Sequence, residues 1–126
     1  MSPLKITTRD AATGPVLEIT GPLDYAHAAE LRALLTTLTL RVGQRLVVDL
    51  AGMDFCDSSG ITALLAARIH AHAAGADIVL AAVPANTLRI LHIAGLDQVF
   101  PLLPDSESAT RPDGEPLGPP GGVCDT

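Results

Sequence analysis

Two apolar runs of strand length, RLVVDL at residues 45–50 and DIVLAAV at residues 77–83, bracket a segment in which apolar side chains recur at helical spacing. A strand that is apolar along its whole length is one covered on both faces. A strand, a helix and a second strand in that order join parallel strands through a right-handed crossover. This unit restricts the chain to α/β architectures. Its helix starts at Ser58, is expected to bury Ile61, Leu64, Leu65 and Ile69 on one face, and closes at Ala74 and Gly75, a glycine in the C-cap position.

The flanking segments extend the same plan. Residues 4–8 and 15–20 are short, β-branched and separated by RDAATG, which predicts a β-hairpin, with Gly21 and Pro22 ending its second strand. Asp24 stands where an N-cap belongs, ahead of Ala28, Leu31, Leu34, Leu35 and Leu38, so a first helix is expected from there to about Thr39. Pro84 and Asn86 open a shorter helix carrying Leu88, Ile90, Leu91 and Ala94 before Gly95, and residues 99–103 can add a last strand. The expected fold is α/β: a mixed sheet of four to five strands with helices packed on it.

One domain, residues 1–103, accounts for all of these elements. Residues 104–126 hold five Pro and four Gly and almost no aliphatic side chains. Such a segment cannot offset its ordering entropy by burial, and a disordered acidic tail is expected. The formal charge is −6, most of it in that tail, where Asp105, Glu107, Asp113, Glu115 and Asp125 face only Arg111. The remaining Lys and Arg are scattered singly, unlike the clustered patch that phosphate-backbone binding needs, so nucleic acid is not an expected partner. Tyr25, Phe55 and Phe100 are the only aromatic residues, too few for a base-stacking platform. No stretch has the length of a membrane span, and two cysteines without a leader do not make a secreted disulfide framework, which points to the cytoplasm.

Chemistry concentrates in CDSSG, residues 56–60, between the central strand and the long helix. An Asp or Ser there can cap the first turn and satisfy its unpaired N–H groups. A cap needs one such residue, whereas Asp57, Ser58 and Ser59 arrive together with Gly60, a poor helix former without a side chain to shield the hydroxyls. The excess points to a contact surface. A serine at a helix start is also a place where a phosphate is tolerated by the fold while adding nearly two negative charges.

With these residues in view, the chain resembles the STAS domain family, in its branch of anti-sigma factor antagonists. The resemblance lies in LVVDL, CDSSG, ITALLAARIHAHAAG, ADIVLAAV and NTLRILHIAGL, together with GPLD at residues 21–24, and spans residues 4 to 103. It implies that Ser58 is phosphorylated by an ATP-dependent anti-sigma factor serine kinase of histidine-kinase-like fold. The unphosphorylated form would bind that kinase and free a sigma factor, and a serine phosphatase would reset the switch. It further implies a docking rim of Asp57, Ser58, Ser59, Gly60 and Thr62, with Asp24 near the same surface. Thr62 stands where the family often has a second glycine, and Pro22 where it often has Glu, both of which alter how closely a partner approaches. Other branches of the family serve as accessory subunits of lipid-transport ATPases or as stress-sensing scaffolds.

Other chemistries find less support. A small serine hydrolase using Ser58 would need the Gly-x-Ser-x-Gly elbow, which is absent, so no catalytic residue is assigned. His27, His70, His72 and His92 suggest no metal site, because His70 and His72 lie two apart on a helix and point to opposite sides. Cys56 reads as a small buried hydrophobe. Neither a Gly-x-x-x-x-Gly-Lys loop nor a Gly-x-Gly-x-x-Gly turn is present, and no cofactor is expected.

Overall fold

The computed structural model describes residues 4–104, so the expected tail, apart from its first residue, lies outside the described residues. Strand β1 (Lys5–Ala11) turns into β2 (Gly14–Leu23), followed by α1 (Tyr25–Leu35), β3 (Arg45–Cys56), α2 (Ser58–Ala73), β4 (Asp77–Ala81), α3 (Ala85–Ile93), a single 3₁₀ turn at Leu96–Gln98, and β5 (Leu102–Leu103). The five strands stand side by side in chain order. β1 pairs antiparallel with β2, and each later neighbour pairs parallel. This is the mixed α/β sheet expected from the sequence.

Because every parallel connection steps one strand in the same direction, right-handed crossovers place all three helices on one face. The main core lies there: Leu17, Ile19, Leu46, Val48, Leu50, Ile78 and Leu80 of the sheet meet Leu31 and Leu35 of α1, Leu64 of α2, Leu91 of α3 and Phe100. No helix among the described residues is long and apolar enough to cross a membrane.

Several boundaries differ from expectation, each for a local reason. Gly21 and Pro22 do not end β2, which runs on to Leu23. Register shifts between Glu18 and Thr20 and between Gly21 and Pro22, with Gly21 at φ 95°, let a residue without an N–H stay in the ladder. The continuation gives β3 a partner through Cys56, past the expected end at Leu50. Helix α1 stops at Leu35, short of Thr39, where the Thr36 and Thr37 hydroxyls donate to Ala33 O and Leu34 O at 2.7 Å each. The expected last strand shrinks to Leu102–Leu103, because the 3₁₀ turn carries the chain on through Phe100, and β4 ends at Ala81.

The face of α2 is also corrected. Ile69 is 67% exposed and Leu65 only half-buried, while Gly60, Ile61, Ala63, Leu64, Ala67 and Ala71 are buried. Small residues let the helix backbone approach the sheet, and the bulky Ile69 faces outward. In α3, Leu88 and Ile90 are partly exposed and Ala94 is exposed, leaving Leu91 and Thr87 as the buried residues.

Candidate functional site

Strands β2 and β3 end side by side at Leu23 and Cys56, both buried and in register with each other. An extended aspartate follows each of them, Asp24 and Asp57, and each caps the helix that begins at the next residue. The start of α1 and the start of α2 are thereby brought together at the carboxyl edge of the sheet. Apolar strand ends fix the depth of the two aspartates, and their short side chains turn back onto the first helical turns.

Asp24 Oδ1 accepts from His27 N at 3.1 Å and from His27 Nδ1 at 2.7 Å. The His27 hydrogen bond holds the Asp24 carboxyl below its ordinary value of 3.8. Asp57 serves both helices. Its Oδ1 accepts from Gly60 N at 3.0 Å, and its Oδ2 accepts from Tyr25 N, the first residue of α1, at 3.1 Å. A carboxylate between two helix N-termini also sits in the positive field of both dipoles.

Gly60 has a packing reason distinct from the one read in the sequence. A Cβ there would lie 2.2 Å from Leu23 O and 2.7 Å from Cys56 Sγ, so the glycine lets α2 seat against the end of β2. It is buried, beneath the surface that Ser58 and Thr62 present. Cys56 is 4% exposed, with its thiol aimed at Asp57 O at 3.6 Å. Burial, with a smaller contribution from the Asp57 charge, pushes the Cys56 thiol up to about 11, so it is a packed side chain and not a nucleophile at neutral pH.

Ser58 is exposed at the first position of α2, and its hydroxyl makes no hydrogen bond among the described residues. Ser59 is half-buried. The exposed Thr62, one turn on, donates from Oγ1 to Ser58 O at 2.9 Å, which ties the first turn of α2 together. Of the six residues implicated by the sequence, Asp24, Asp57, Ser58, Ser59 and Thr62 therefore line one edge, and Gly60 supports it from inside.

Two further residues of this edge escaped the sequence reading. Tyr25, the first residue of α1, is 82% exposed, and Phe55, near the end of β3, is 51% exposed. They are two of the three aromatic residues in the chain, the third being the buried Phe100. Exposed aromatic side chains in a chain with an aliphatic core are the signal that could have found them.

Comparison with known proteins gives the site a family setting. Residues 6–104 match the family described as "Mlab, STAS domain". An anti-sigma factor antagonist from Mycobacterium paratuberculosis is 25% identical, with 85% of this chain and 91% of that chain covered and a TM-score of 0.74. The Bacillus cell fate determinant SpoIIAA in its phosphorylated form is 17% identical, covering 83% and 96%, at a TM-score of 0.62. The STAS domain of a SulP transporter from Vibrio cholerae is 21% identical, covering 74% of each chain, at 0.59. The last two likenesses concern the fold alone. With a match spanning the whole sheet and all three helices, and with the aspartate, serine and glycine motif at the head of α2, this chain belongs to the STAS domain family.

Proposed function

We propose that the protein is a non-enzymatic anti-sigma factor antagonist acting in the cytoplasm. With Ser58 unmodified, it binds an anti-sigma factor that is also a serine kinase, and a sigma factor is freed. The kinase brings ATP and phosphorylates Ser58, the complex separates, and a serine phosphatase restores the binding form. The observation that carries this reading is the exposed Ser58 hydroxyl at the head of α2, without a hydrogen bond among the described residues and next to Asp57, whose carboxylate also accepts from the N–H of the exposed Tyr25.

The physical logic is electrostatic. A phosphate on Ser58 adds close to two negative charges next to the Asp57 carboxylate, at a point where α2 itself is already capped and needs no rearrangement. Inside an interface such a charge is unpaired and costs several kcal/mol, against roughly 8–12 kcal/mol for a complex of micromolar to nanomolar affinity. Asp24, Ser59 and Thr62 form the remaining polar rim, and Tyr25 and Phe55 supply the apolar anchors.

A second reading, a subunit of another complex such as a lipid-transport ATPase or a stress-sensing scaffold, is supported by the family description and by the transporter domain among the similar structures. The deciding experiment uses wild-type protein and Ser58→Glu as baits in lysate of the source cell, with retained proteins identified by mass. Retention of a histidine-kinase-like ATPase by wild type alone, and phosphorylation of Ser58 by it, supports the antagonist. Equal retention of a transporter ATPase or a scaffold by both baits overturns it in favour of the second reading.

A further inference from the structure

Helices α1 and α2 pack against each other, and a groove of about 350 Å³ opens between their second halves. Arg32 and Leu35 line it from α1, and Ala66, Ile69, His70 and Ala73 from α2. Leu35 is the buried floor, while Arg32, Ile69 and Ala73 are exposed. Three of these residues continue a row that begins at the candidate site. Ser58, Thr62, Ala66, Ile69 and Ala73 follow one another at intervals of four, four, three and four residues, which keeps them in a stripe about 80° wide and about 22 Å long. Of the five, only Ala66 is half-buried, and the rest are exposed. Alternating steps of three and four make the seam that receives the side chains of a second helix, and alanines let that helix come close.

The charge along the groove has one sign. Acids outnumber bases 14 to 8 in the chain, yet α2 has no acid and α1 only Glu30, which is not part of the groove lining. Arg32 and His70 make no ion pair or side-chain hydrogen bond among the described residues. A base in its last turn suits the dipole of each helix. The dipoles do not account for the lack of an acid between the two.

We propose that a partner protein lays an amphipathic helix in this groove. Its apolar edge meets Ala66, Ile69 and Ala73, and its carboxylates pair with Arg32 and His70. Resting on the antagonist reading above, that partner is the anti-sigma factor kinase, whose contact at Ser58 then continues along α2 to Ala73. Complementary charge supplies the choice of groove. The chain's acids elsewhere repel an acidic helix, while Arg32 holds a fixed positive charge in a planar fork that matches a carboxylate, and His70 adds a ring N–H. The apolar seam supplies the register, since Ile69 is the one bulky side chain in it and stands 67% exposed, ready to fill a hole on the facing helix.

The test puts a photo-crosslinking side chain in place of Ala73 in the full chain, with separate chains carrying it at Ala26, beside the Ser58 edge, and at Ala94, past α3. Each is irradiated in lysate of the source cell, and the joined peptides are mapped by mass. The Ala73 probe is expected to mark an acidic, amphipathic segment of the same kinase that the Ala26 probe marks, and the Ala94 probe to mark neither. Charge reversal by Arg32→Glu with His70→Glu should cut the Ala73 yield roughly tenfold, and Arg32→Gln should lower it in the same direction if the double variant melts early. Kinase joined at Ala26 but not at Ala73 overturns the groove and leaves the antagonist reading standing. An acidic helix of a protein other than a kinase, joined at Ala73 and lost on charge reversal, keeps the groove and overturns that reading. A second copy of this chain, a lipid or nothing at Ala73, equal yields at Ala73 and Ala94, or a yield indifferent to charge reversal each overturn the groove.

Discussion

The Asp57 carboxylate receives the backbone N–H of Tyr25 at 3.1 Å across 32 residues of sequence, while its other oxygen caps its own helix at Gly60. One side chain thus holds two helix starts. Each cap contributes on the order of 1 kcal/mol, so Asp57→Ala is expected to lower stability by about 2 kcal/mol in urea unfolding. Asp57→Asn keeps one acceptor oxygen and should fall near half that loss. Equal stability of both variants with wild type would show that the bridge contributes nothing.

At Gly60 two effects oppose each other. Alanine inside a helix is usually favoured over glycine by about 1 kcal/mol. The added Cβ would meet the Leu23 carbonyl at 2.2 Å, a backbone atom that cannot swing aside. Overpacking of this kind costs roughly 1–3 kcal/mol or more, so Gly60→Ala should be clearly destabilising by thermal unfolding, and a raised melting temperature would contradict the geometry.

Tyr25 and Phe55 make the site testable without touching Ser58. Both side chains are largely in water, so Tyr25→Ala and Phe55→Ala should leave the melting temperature nearly unchanged. Truncating an aromatic anchor at the centre of an interface typically weakens binding by roughly tenfold or more. Calorimetric titration against the retained partner checks this, and unaltered affinity in both variants would remove the two residues from the interface.

The Cys56 thiol sets an alkaline limit. Its folded value of about 11 lies above the ordinary 9.0, so the folded state keeps a proton that the unfolded chain releases. The associated stability is complete below pH 9 and is lost as pH rises through about 11. Unfolding free energies measured across that window should fall less steeply for Cys56→Ala than for wild type. Parallel slopes would mean that the thiol titrates normally.

Much of this architecture was legible because local chemistry and global fold agree. Asp24 and Asp57 were readable as helix caps from their position before apolar periodicity, and the structure puts both there. Gly21 and Pro22 misled because a stop signal and a bulge look alike in one dimension, the difference being made by β3 pairing on the far side. Ile69 misled for another reason: α2 seats on Gly60, Ala63, Ala67 and Ala71, and small residues leave little trace in a pattern read from large ones. The second cap from Asp57 and the exposure of Tyr25 and Phe55 depend on two strand ends lying side by side, which no local window contains.

The order of the strands has a consequence for how the protein is made. Because β1 to β5 enter the sheet in the sequence in which they leave the ribosome, every incoming strand finds its neighbour already in place. No strand waits for a later one to be inserted between itself and its partner, and each helix is released together with the strand it must cover. Synthesis can therefore proceed as a series of short closures, with each exposed edge capped by the next segment to emerge.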